Sequence, residues 1–161
     1  MKLTIEHLAA YLPYEVKINL NRPLFERTDI NLMGLTIAFN SSTNEHFIIK
    51  SEVTYGLEHI QPLLRPLSDL TKEIEHNGER FVPIEWFEIG DDSNYSVEYD
   101  NGNIKLIRAL ESLSKNGFAN EVEYFPYGVI TKLLSWHFDI YSLIPQGLAI
   151  PIKPINNEQQ D

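Results

Sequence analysis

The sequence predicts an α+β protein, with a small antiparallel β-sheet or partly closed barrel in the N-terminal half and a helical C-terminal half. Three observations predict it. Short runs of alternating apolar and polar residues follow one another up to residue 67. Beyond that point the apolar spacing lengthens towards three and four residues, as a helix requires. At 161 residues, with 43% hydrophobic and 11% aromatic content, the chain can bury a core. The expected organisation is one compact domain over 1–155, β-rich over 1–67 and helix-rich over 68–155, with 156–161 frayed.

The elements follow in chain order. Thr4 is an N-cap for a short helix, with Leu3 and Leu8 spaced as a hydrophobic staple and Pro13 as its stop. In "YEVKINL" (14–20), Val16, Ile18 and Leu20 alternate with Glu15, Lys17 and Asn19, the pattern of a half-buried strand. A second strand is expected over 30–39, with Gly34 at a bulge or tight bend. The polar turn "NSSTN" then leads into a third over 45–53, making a hairpin. Residues 59–67 are extended, because the residues before Pro62 and Pro66 are pushed out of the helical region.

In the second half, Ser68 can cap a helix over "DLTKEIEHNG" that stops at Asn77-Gly78. The run 80–90 reads equally as a strand or as a short helix after Pro83. Residues 91–103 read as an acidic loop, or one that includes a strand at Tyr95, Val97 and Tyr99. Ile104, Ile107, Leu110 and Leu113 recur at intervals of three before Asn116-Gly117, an amphipathic helix with a stop signal. A last helix opens near Pro126 and runs to about Tyr141, and "GLAIPIKPI" follows as an extended tail.

Charge excludes several functions. The chain holds 13 basic and 23 acidic residues, a net of −10, and no basic stripe. Binding to a phosphate backbone is dominated by Lys and Arg, so direct nucleic-acid contact is not expected, nor is a membrane surface. The start lacks the apolar core of a signal peptide, and no apolar run is long enough for a membrane span. Without cysteine there are no disulfides, thiolate metal sites or thiol nucleophiles, in keeping with a cytoplasmic protein.

The densest apolar stretch, "LLSWHFDIYSLIPQGLAI" (133–150), holds His137 and Asp139 two residues apart. On a helix, two residues subtend about 200°, so the acid cannot orient the ring. His137 is then placed on the apolar face as a neutral core histidine, and Asp139 on the polar wedge. An apolar face this wide would need cover from the rest of the chain or from a second copy in a homodimer. The remaining histidines lack ligand spacing, so no metal or other cofactor is expected. The acidic loop departs from the calcium-loop template, with Val97 at the glycine position and Asn103 at the twelfth. Phosphate-binding glycine loops, nucleophile elbows and H-E-x-x-H are absent from the sequence, and no catalytic residue is assigned. The aromatic residues are expected mostly in the core, but Trp86, Phe87, Tyr124, Phe125 and Tyr127 sit beside turns and acids, a composition that also suits a protein-binding surface.

Two segments carry a resemblance. "IQPLLRPLSDLTKEI" (60–74), through Arg65, Pro66, Leu67, Ser68, Asp69 and Leu70, is similar to a proline-bracketed "PxLRPLSDL" pattern. "PYGVITKLLSWHFDIYSLIPQGLAI" (126–150) supplies Trp136, His137, Phe138 and Asp139, then Gly147, Leu148, Ala149 and Ile150, in a "WHFD…GLAI" pattern. Together they resemble a family of small uncharacterised proteins from phages, prophages and mobile elements of gut bacteria. The resemblance implies such an origin and the cytoplasm of a bacterial host, and brings no catalytic residue with it.

The leading expectation is a non-catalytic protein of a phage or mobile element that binds another protein. An alternative is an acidic nucleic-acid mimic or inhibitor of a host or defence protein. It rests on Glu85, Glu88, Asp91, Asp92, Glu98 and Asp100, which are interrupted by no Lys or Arg. A third is a small enzyme that pairs His137 with a distant carboxylate.

Overall fold

In the computed structural model, the residues described are 2–20, 28–31, 36–43, 45–50, 53–89, 110, 112–113 and 125–153. The chain divides into two compact units, Met1–Leu64 with Tyr141–Pro151, and Arg65–Ile140 with Ile152–Asp161. It is an α+β structure. The described strands form sheets of four, three and two strands and close no barrel. Closure needs one ladder that runs continuously round a ring, and here the ladder is broken into three.

The first unit begins with α1 (Ile5–Ala9), capped by Thr4 as the sequence indicates. The Thr4 amide donates to His7 Nδ1 at 3.2 Å, so a histidine takes the place that Glu or Gln holds in a capping box. Leu3 and Leu8 are both buried, and Pro13 lies in a 3₁₀ turn, Leu12–Tyr14, that follows the helix. Strand β1 (Lys17–Leu20) pairs antiparallel with β2 (Thr28–Asn31) on one side and with β6 (Ile60–Leu64) on the other. Val16, Ile18 and Leu20 are buried, as their alternation predicts. Asn19 is buried as well, so β1 is covered on both faces.

The expected strand over 30–39 is divided between two sheets. Its first part belongs to β2, and its last part is β3 (Thr36–Asn40); Gly34 lies outside the described residues. Strand β3 pairs with β4 (Glu45–Lys50) in the expected hairpin, and β4 pairs with β5 (Val53–Gly56). The segment "GLAIPIKPI", expected as an extended tail, is extended at Ile150–Pro151 and paired there. Within it, β9 (Ile150–Pro151) pairs parallel with β6, Ile150 opposite Leu63 and Pro151 opposite Leu64. The turn before β9 is closed by Leu148 N to Leu143 O at 2.9 Å and Gly147 N to Ile144 O at 3.0 Å. Gly147 has φ +70°, the left-handed conformation that this pair of bonds requires.

The second unit departs most from the sequence expectation. In place of a helix over 68–78 it has a 3₁₀ turn, Leu67–Asp69, and then a hairpin. The hairpin joins β7 (Ile74–His76) to β8 (Glu79–Phe81), Ile74 opposite Phe81 and His76 opposite Glu79. Asn77 and Gly78 have φ of 53° and 82°, the two positive values of a two-residue hairpin turn. Asn-Gly ends a helix and turns a hairpin equally well, and the flanking alternation of Ile74 and His76 with Glu79 and Phe81 decides for the hairpin. A C-terminal half that is only helical is therefore not observed.

Residues 83–89 are helical: α2 (Pro83–Ile89) opens on its proline, where a missing N–H costs nothing. Leu110, Ser112 and Leu113 are helical, with both leucines buried; the rest of the helix expected around them, and the acidic loop, lie outside the described residues. Pro126 caps α3 (Tyr127–Ser135), which buries Val129, Leu133 and Leu134. That helix stops six residues short of Tyr141.

Candidate functional site

The stop occurs within "WHFD". His137 has φ +64°, so it is not a helical residue. Its N–H donates to Leu134 O at 2.9 Å, and Phe138 N–H donates to Leu133 O at 2.9 Å. These are the two bonds of a Schellman motif, with His137 in the left-handed position that glycine usually takes. Leu133 and Phe138, the apolar pair that accompanies the motif, are both fully buried. The helical count across 133–141 fails because an apolar residue is needed at the C″ position, and Phe138 extends the helical pattern past the true end.

Two placements change in consequence. His137 is only partly buried and leaves the apolar face of α3, and Asp139, expected on an exposed wedge, is 4% exposed.

The emerging chain is held by Arg65, itself buried at 9% exposure. Arg65 N–H donates to His137 O at 2.7 Å and Asp139 N–H donates to Arg65 O at 2.9 Å, a parallel bridge centred on Phe138. The guanidinium then links two elements. Nε donates to Trp136 O at 3.2 Å at the end of α3, and Nη2 donates to Glu75 O on β7. A cation at a helix C-terminus satisfies a carbonyl the helix leaves open and complements its dipole. Burial pushes the Arg65 guanidinium below its ordinary value, against the opposing pull of Asp69 and Glu75. Asp69 is also bridged by Lys72 Nζ at 2.7 Å.

Around this clasp lies an aromatic cluster. Trp136 is buried, with ring centroids at 5.0 Å from Phe81, 5.3 Å from Trp86 and 5.6 Å from Phe87. Lys132 Nζ lies 4.3 Å from the Trp86 ring centre and 5.0 Å from that of Trp136, within range of a cation–π attraction. The His76 ring meets His137 edge-on at 5.3 Å. Burial, and then the proximity of His137, Arg65 and Lys132, holds the pKa of His76 down to about 4.

Of the aromatic residues singled out in the sequence, Trp86 and Phe87 come together on Trp136, Phe87 buried and Trp86 half-buried. Tyr127 opens α3 with 84% of its surface exposed, and Phe125, half-buried, precedes it. About 13 Å of helix axis separates Tyr127 from Trp136. Tyr124 lies outside the described residues, as do the acids from Asp91 to Asp100, while Glu85 is exposed on α2.

Sequence reasoning missed Arg65, His76 and Lys132 as partners. One signal could have found the first: a lone charge inside "PLLRPL", where every neighbour is apolar or proline, has to be buried and bonded. Among the described residues, no three metal-ligating side chains gather, and no helix is long and apolar enough to cross a membrane.

Fold and site together define a small α+β protein with a buried arginine clasp at the end of its last helix. Compared with known proteins, the chain matches no family model, no curated protein and no solved structure.

Proposed function

We propose that this chain is a non-catalytic binding protein of a phage or mobile element, acting in the bacterial cytoplasm on a protein partner. The observation that carries the reading is Tyr127. A tyrosine that is 84% exposed in the first turn of a helix, next to Phe125 and Pro126, leaves a large amphipathic surface in water. Tyrosine in such a setting suits a contact surface, since its ring offers area and its hydroxyl a hydrogen bond with few torsions to freeze. The phage-family resemblance of the "LRPLSDL" and "WHFD…GLAI" segments supplies the origin.

The test is capture from bacteria that carry the element, with wild type and Tyr127→Glu side by side. Tyr127 is exposed, so the variant should fold with an unchanged circular dichroism spectrum. The expected result is one partner retained by wild type and reduced at least about tenfold by the variant. Equal recovery by both proteins, or no reproducible partner, would overturn the reading.

A further inference from the structure

We propose that the His76–His137 contact is an acid-operated latch: a proton on His76 parts the two rings and frees the β7–β8 hairpin from the end of α3, uncovering the side of Trp136 against which Phe81 packs. The hairpin is well suited to local release. Each strand has three residues, and the turn between them has two. Three attachments converge on one place: Arg65 Nη2 to Glu75 O, Phe81 on Trp136, and His76 on His137. A hairpin of this size has little stability of its own, so it stays where these contacts hold it.

Burial sets the sign for His76, and the charges around it reinforce it. Arg65 lies at the base of the clasp, Lys132 belongs to α3, and His137 is in the turn beyond it; all three act on His76 against a proton. The acids nearby are engaged or outward. Glu79 is opposite His76 in the hairpin and is exposed, while Glu75 pairs with Arg80 at 3.4 Å. Asp69 is bridged by Lys72 at 2.7 Å, and Asp139 is buried beside the clasp with its N–H on Arg65 O. The closed form thus packs a neutral imidazole and holds its proton only below about pH 4, whereas the opened form takes it up from the ordinary value of 6.5. The opened form therefore binds more protons across that window. Latching is complete above pH 6.5 and is lost progressively as pH falls towards 4, by at most about tenfold per pH unit for one proton.

The experiment uses the full chain, labelled for NMR. It follows the His76 ring signal and the amide exchange of residues 74–81 from about pH 7 to about pH 4.5, corrected for intrinsic exchange. We expect His76 to stay neutral to below pH 5. We expect exchange of the hairpin amides to rise several-fold per pH unit while those of β1 and β6 stay flat. His76→Phe keeps a ring and cannot be protonated, so its hairpin should show no acid response. A His76 titration near 6.5 overturns the proposal, as does an acid response that survives in His76→Phe or is shared by every amide. Should His76→Phe fail to fold, the wild-type titration and exchange decide alone. The latch stands independently of the partner reading, since neither measurement involves a partner.

Discussion

Asn19, His137 and Asp139 each hold a conformation or a degree of burial that their residue type disfavours. Asn19 sits 1% exposed in the middle of β1, and its Oδ1 accepts no hydrogen bond from the described residues. A buried acceptor left unpaired costs about 1–3 kcal/mol, and a central strand favours β-branched side chains. Asn19→Val should therefore raise stability by about 1 kcal/mol in urea denaturation. A loss instead would mean that the carboxamide is bonded. Alternation placed Asn19 on the exposed face of a half-buried strand, and only the second covering layer, which four residues cannot announce, reverses that. His137 is a comparable case. Histidine tolerates the left-handed region better than most residues, yet nothing in "SWHFD" marks the position as a glycine would. Asp139 was legible only as an acid two residues from a histidine; its burial follows from the helix stopping before it.

Among the elements, those defined by local chemistry were the legible ones. The Thr4 cap with its Leu3–Leu8 staple, the β3–β4 hairpin and the extended β6 all depend on residues within a few positions of one another. The β7–β8 hairpin is hidden in the sequence because its Asn-Gly serves two kinds of ending, and α3 is shorter than its apolar pattern because its stop uses an apolar residue. The hairpin can be tested at its turn. Gly78 has φ +82°, and a methyl group there would meet no atom within 4 Å. Gly78→Ala therefore isolates conformational cost and should destabilise by about 1 kcal/mol, read as a lower urea midpoint. If the turn were a helix end without a hairpin, the loss would not be accompanied by faster exchange at Ile74 and Phe81.

For the molecule as a whole, the change of apolar period along the chain carries the α+β class and composition carries the capacity for a core, while the pairing of distant segments is beyond both. Nothing local to "PLLRPL" names residues 136–139 as its partners, because that bridge spans more than seventy positions. Trp136 is the residue on which the second unit's aromatic rings converge, from β8 and α2 alike. Trp136→Ala should cost about 3–5 kcal/mol, the range for emptying a buried aromatic site, measured as a lowered melting temperature. A change below about 1 kcal/mol would show that the ring is not the centre of that core.

The parallel pairing of β9 with β6 also bears on the order of events during synthesis. Residues 63 and 64 leave the ribosome long before residues 150 and 151, and at about 5–20 residues per second the gap lasts several seconds. Through that interval one edge of the four-stranded sheet has no neighbour, and residues 65–140 of the second unit are made before the neighbour arrives. A nascent chain that ends before Ile150 carries an open strand edge available to other chains, so β9 closes the sheet against association as well as completing it.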